Sequence, residues 1–171
     1  MLRRGLTIAV VIITGLLLQS TIFSQITLLG VKPELMYLVT IVVAVLEGPR
    51  EGALVGFVAG MAQDFLIPGP KGVTALTLTL LGYTMGLARD YVVSPSPLLP
   101  TMLVAAGTAA GVAFYEVTTF LVGQSNPGFS QDLKVAILAG IYGGVLTPVF
   151  YPLLRRALES SRHGRVVRAR R

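Results

Sequence analysis

Residues 35–64 read LMYLVTIVVAVLE-GPRE-GALVGFVAGMAQD: two apolar stretches joined by a short charged corner. The first stretch, 35–46, carries no charge at all. Glu47, Arg50 and Glu51 then crowd around Gly48 and Pro49, and the second stretch, 53–67, stays uncharged except at Asp64. The same alternation extends outward in both directions. Six apolar runs can be traced, at 5–29, 35–46, 53–67, 73–88, 98–123 and 135–154, and apart from Asp64 and Glu116 the charges fall in or beside the gaps.

The signs of those gaps are lopsided. With a cytoplasmic amino terminus, six spans put all eleven arginines on one side: Arg3, Arg4, Arg50, Arg89, Arg155, Arg156, Arg162, Arg165, Arg168, Arg170 and Arg171. The other side receives only Lys32, Lys71 and Lys134. Basic loops resist translocation, so this bias sets both the number of spans and their orientation. An odd number of spans would place the Arg-rich carboxyl tail outside. The expectation is an all-α polytopic membrane protein, a compact bundle of six transmembrane helices with both termini cytoplasmic. Residues 1–158 form the membrane domain and 159–171 an Arg-rich tail.

Composition agrees. A soluble domain carries about 25% charged residues; here the figure is 13%, with 53% hydrophobic and a mean hydropathy of +0.75. The first run is about 25 residues long, beyond the apolar part of a signal peptide, and QSTIFSQ at 19–25 offers no small-residue cleavage site. It is expected to stay attached as the first span. The run 35–46 is short for a ~30 Å hydrocarbon core, and a helix over 31–48 is long enough if Lys32 and Glu34 reach the outer interface. A re-entrant hairpin is the alternative, but it leaves Glu47, Arg50 and Glu51 at membrane depth, so two true spans are preferred. Most prolines lie in or beside connections, while Pro148 and Pro152 fall inside the last span, where a bend is expected.

Glycine spacing is the second organising feature. Gly48, Gly52, Gly56 and Gly60 recur every fourth residue, and Gly82/Gly86, Gly107/Gly111 and Gly140/Gly144 repeat the interval. That spacing lines one helix face with small residues and lets helix backbones approach closely in lipid. A bulky side chain at Gly56 or Gly60 should therefore be more harmful than one at Ala59. The next step along the first stripe is Asp64, just before Pro68-Gly69-Pro70. Its carboxylate can accept hydrogen bonds from the N–H groups of its own loop, from water at the interface, or from a partner arriving from outside. Glu116, within the fifth run, is the other ionisable group inside a span; such groups usually face the bundle and mark function or a pairing partner.

Enzyme chemistry finds no support. The chain has no cysteine, and its one histidine, His163, lies in the basic tail. There is no G-x-S-x-G elbow, no H-E-x-x-H pair and no P-loop, and neither buried acid has a second ligand at helical spacing. No catalytic, cofactor or metal residues are assigned. Arg155, Arg156, Arg162, Arg165 and Arg168 form a cluster suited to anionic lipid headgroups. They lack the interleaved aromatic residues that nucleic-acid binding requires.

Gly56-Phe57-Val-Ala-Gly60-Met-Ala-Gln-Asp64, then Gly72-Val-Thr-Ala75-Leu76 and Gly82-Tyr83, resemble the bacterial rod shape-determining protein MreD family. Pro33-Glu34-Leu35 is similar to that family's proline-led second span. Gly144-Val145-Leu146-Thr147-Pro148 before Arg155-Arg156 is similar to its last. The extension after Leu158 lies outside the pattern. The resemblance implies a non-enzymatic protein of the bacterial inner membrane that partners the bitopic protein MreC. It also implies an indirect association with MreB, RodA and a penicillin-binding transpeptidase, in a complex for peptidoglycan synthesis and cell shape. On that reading Pro33, Gly52, Gly56, Phe57, Gly60, Asp64, Gly72 and Glu116 are packing or partner-interface candidates. The resemblance further implies a fold similar to the substrate-binding subunits of energy-coupling-factor transporters. That supplies the competing function, a subunit binding a vitamin or other small solute. Such a subunit needs several convergent polar or aromatic groups, and the sequence offers few beyond Asp64, Glu116, Tyr115 and Tyr142. The scaffold is the favoured reading.

The topology makes a direct prediction. In spheroplasts treated with an impermeant thiol reagent, the single variants Lys71→Cys and Asn126→Cys should be labelled, and Arg50→Cys and Ser96→Cys protected. Labelling at position 96 but not 126 would overturn the six-span arrangement.

Overall fold

The computed structural model describes residues 2–21, 33–66, 69–91, 98–123 and 129–166. These form six α-helices: α1 Leu2–Thr21, α2 Leu35–Glu47, α3 Pro49–Leu66, α4 Val73–Leu87, α5 Leu98–Leu121 and α6 Phe129–Val166. A short 3-10 turn, Ala88–Tyr91, extends α4. The apolar runs and the helices largely coincide. Helix α3 starts earlier than its run because Pro49, with no N–H to satisfy and φ already set, suits the first helical position, and Glu51 in the first turn favours the positive end of the helix dipole. Helix α6 is longer than its run. It continues through Pro148 and Pro152 and on past Leu158 without a break, through Leu153-Leu-Arg-Arg-Ala-Leu-Glu159, a string of strong helix formers.

Among the described residues, two segments are long and apolar enough to cross a membrane by length and composition, Leu98–Leu121 and Leu133–Leu158. Gly5–Thr21, Leu35–Glu47 and Val73–Leu87 are apolar but shorter. The last segment carries a stripe of exposed apolar side chains at every fourth position: Leu133, Ile137, Ile141, Val145, Val149 and Leu153. A stripe of that length is stable facing hydrocarbon and costly facing water.

Helix α2 is the centre of the bundle. Every residue from Leu35 to Val45 is buried, and α1, α3, α4, α5 and α6 all pack against it. A helix apolar on all sides has no face to give to water, so it is enclosed by others. At 13 residues it rises about 20 Å, short of a ~30 Å core. The expected helical extension back to residue 31 does not form at Pro33 and Glu34. Glu34 is extended (φ −101°, ψ 92°) and bonds to Gln63 of α3.

Only Gly48 separates α2 from α3. Its φ of 102° with ψ of 179° is a conformation open to glycine and strained for any other residue. Its N–H bonds the Ala44 carbonyl at 2.8 Å, and its own carbonyl accepts from Gly52 at 2.9 Å, so the corner is hydrogen-bonded into both helices.

Glycine contacts then bring α3 and α4 together backbone to backbone. A Cβ placed on Gly56 would strike the Leu78 carbonyl, one on Gly60 the Ala75 backbone, and one on Gly82 the Gly52 carbonyl. Gly52 also faces Ala44 of α2, and Gly86 faces Pro49. Between α5 and α6, a Cβ on Gly140 would come within 2.7 Å of the Ala105 carbonyl oxygen. Gly107 and Gly111 instead face the Ile41 and Tyr37 side chains of α2.

Ala59 is not the neutral neighbour of the stripe that its sequence position suggests. It is 0% exposed, because it lies three residues after Gly56 and shares its face. Val58, 53% exposed, points outward and is the proper control. Gly56→Leu and Gly60→Leu should each cost at least roughly 1–3 kcal/mol, since neither α3 nor the α4 backbone can yield. Val58→Leu should be nearly neutral. Thermal unfolding in detergent checks this, and equal melting temperatures for the three variants would refute the close contact.

Candidate functional site

The polar side chains of the bundle gather where α2 begins, α3 ends and α4 starts. Asp64, in the last turn of α3, is 7% exposed. Its Oδ2 accepts hydrogen bonds from the backbone N–H of Gly72 at 2.9 Å and of Ala75 at 3.1 Å. These are the cap residue and the third residue of α4, two of the N–H groups that a helix start leaves without partners. Gly72 is left-handed (φ 91°) and provides no side-chain cap of its own. A carboxylate from the neighbouring helix therefore does the work of an N-cap, with its negative charge at the positive end of the α4 dipole. Lys71 secures the loop from the other side, donating from Nζ to the Asp64 main-chain carbonyl.

Beside this cap lies a cavity of about 90 Å³ lined by Glu34, Tyr37, Gln63, Asp64, Gly69, Thr74 and Tyr115. Gln63 Nε2 donates to Glu34 Oε2 at 3.4 Å, a long bond. Gln63 itself is 5% exposed, and its Oε1 has no hydrogen-bond partner among the described residues. Glu116, half-buried on α5 one residue after Tyr115, acts electrostatically on Glu34, Tyr37 and Tyr115. Gly69 brings the α3–α4 loop over Tyr115: a Cβ there would lie 3.6 Å from the phenolic oxygen.

The candidates from sequence thus separate into groups. Asp64 and Gly72 meet directly, with Pro33 buried next to Glu34 and Glu116 within electrostatic reach of the cavity. Gly52, Gly56 and Gly60 lie along the α3–α4 contact, and Phe57 is 50% exposed, turned away from the bundle. Arg155 and Arg156 are exposed near the end of α6. Arg162 and Arg165 belong to the same helix, with side chains outside the described residues, and Arg168 lies outside them altogether. Among the described residues no group of three or more His, Cys, Asp or Glu could hold a metal ion. Tyr142, on α6, does not line the cavity.

Sequence reasoning missed Glu34, Tyr37, Gln63 and Thr74 as members of one site. Glu34 was read as an interfacial charge, and Gln63 carries no charge to draw notice. One signal was available: Gln63 lies three residues after Gly60, on the face already assigned to packing.

The family model described as rod shape-determining protein MreD matches residues 2–157. The chain belongs to the MreD family. Family membership makes this a membrane protein with a role in rod shape determination. The match spans all six helices as far as Ala157 in α6 and excludes the remainder of the basic tail. No curated protein and no solved structure matches the chain.

The cap geometry generates a stability prediction. Asp64→Asn retains one acceptor oxygen for the Gly72 and Ala75 N–H groups, whereas Asp64→Leu leaves both unpaired at ~1–3 kcal/mol each. The leucine variant should melt well below the asparagine variant, and amide exchange at Ala75 should accelerate most in the former. Equal exchange rates in the two would show that the carboxylate does not cap α4.

Proposed function

We propose that the protein is a non-enzymatic scaffold of the bacterial cell-elongation complex, crossing the inner membrane six times with both termini cytoplasmic. Its direct partner is a bitopic MreC-type protein, through which it associates with MreB, RodA and a penicillin-binding transpeptidase. Arg155, Arg156, Arg162, Arg165 and Arg168 engage anionic lipid on the cytoplasmic surface. Within this reading Gly52, Gly56 and Gly60 hold α3 on α4, while Phe57 and its exposed neighbours on α3 offer a lipid- or partner-facing surface.

The observation that carries this reading is the filled interior. The centre of the bundle is occupied by α2, whose Leu35, Met36, Leu38 and Ile41 are among the largest fully buried side chains. A subunit built to take up a vitamin needs a pocket of roughly 300 Å³ or more, and the polar cavity measures about 90 Å³. An interior packed with its own helix suits a rigid structural partner.

A second reading, a solute-binding transporter subunit, is favoured by one observation: six polar or aromatic side chains do converge on the cavity. Function in cells separates the two. A scaffold that uses Asp64 as a cap predicts that Asp64→Asn restores rod shape in a strain lacking the native protein and still co-purifies an MreC-type partner, while Asp64→Leu does neither. A proton-coupled transporter predicts that Asn fails as completely as Leu. Failure of Asn while the protein reaches the membrane and keeps its partner would refute the structural role.

A further inference from the structure

The Glu34–Gln63 cavity has more acceptors than donors. Gln63 Oε1 is buried without a partner, and Asp64 Oδ2 already accepts two N–H groups. Glu34 receives one long bond from Gln63, and Tyr37, Tyr115 and Thr74 line the same space with hydroxyls that can accept as well as donate. A buried amide oxygen left unbonded is costly, so a donor belongs beside it. Two carboxylates at the wall and a third, Glu116, within electrostatic range of Glu34 outnumber Lys71, whose Nζ is bonded to the Asp64 main-chain carbonyl, and favour a donor that is positively charged. The volume of about 90 Å³ admits a compact group of a few heavy atoms and is too small for a nucleotide. Two tyrosine rings at the wall add faces that attract a cation.

We infer that this cavity is a binding site for a primary ammonium group, –CH2–NH3+, held by Glu34, Gln63 Oε1 and the tyrosine hydroxyls. Three N–H donors on a small charged centre match this acceptor set better than a planar guanidinium, which is wider and directs its donors in one plane. A quaternary ammonium has no N–H to give Gln63. The chemistry is common to a phosphatidylethanolamine headgroup and to a small soluble amine. The direction from which the group arrives, the outer side, rests on the six-span topology proposed above. Binding itself does not, and it can be measured on protein free of any sidedness.

The test uses the full chain in phosphatidylcholine nanodiscs, titrated with methylammonium chloride, with tetramethylammonium chloride and sodium chloride at matched ionic strength. Methylammonium should raise the melting temperature saturably while the other two do not. Glu34→Gln and Gln63→Leu should each weaken the response about tenfold or more, the loss expected for a hydrogen bond to a charged group. Repeating the titration in phosphatidylethanolamine nanodiscs assigns the source: a response that disappears means lipid headgroups already fill the site, and one that persists means a soluble amine does. If neither variant folds, hydrogen exchange across residues 63–75 of the unaltered chain decides, with saturable slowing by methylammonium alone as the supporting result. Equal responses to the three salts, no response in phosphatidylcholine, or variants that bind as well as the original would overturn the site.

Discussion

Helices α3 and α4 touch backbone to backbone, and the arrangement of the polar end follows from that contact. With glycine at positions 52, 56, 60, 82 and 86 no side chain stands between the two axes. The chain can then leave α3, turn through Gly72, and start α4 with its first N–H groups under the Asp64 carboxylate. Widening that contact by one methyl group would pull Asp64 Oδ2 out of hydrogen-bonding range. The same displacement would carry away Gln63, one residue earlier, and open the cavity that it shares with Glu34. Packing in the middle of the helices therefore sets the polar geometry at their end.

The enclosure of α2 is the complementary constraint. A helix buried on every side packs by shape alone, and Gly107 and Gly111 of α5 make room for its Ile41 and Tyr37. Its ends are handled differently. The Glu47 end closes through Gly48 alone, while the Leu35 end follows an extended Glu34 that enters the polar cluster. Each end of this short helix is thus tied to α3, by a one-residue corner on one side and a side-chain bond on the other.

Much of this was legible in the sequence, and the limits have physical causes. Helix positions followed from apolar runs broken by charge and proline, while the length of α6 did not, because the apolar run stops at Arg155 and the helix continues through charged helix formers. The four-residue glycine interval marked the face along which α3 packs, although which helix it met was not encoded in the interval. Asp64 stood out as a lone acid at the end of that stripe, and hydrogen bonding to its own loop was among the roles foreseen. The cavity was not foreseen. Glu34 and Gln63 lie 29 residues apart, one looks like an interfacial charge and the other like an ordinary amide. Only the α2–α3 fold brings them together. Ala59 was misread for a simpler reason: a residue between glycines in sequence still shares their helix face when it lies three positions away.

The central position of α2 also bears on the order of assembly. The helices that surround it include α4, α5 and α6, which leave the ribosome after it. On the six-span reading proposed above, α2 rests against lipid or the insertion machinery during synthesis, which its apolar surface permits, and exchanges those surroundings for protein as each later helix arrives. Closure of the bundle waits for α6. A chain interrupted before that point carries an unenclosed α2, with the surface meant for its own helices left open.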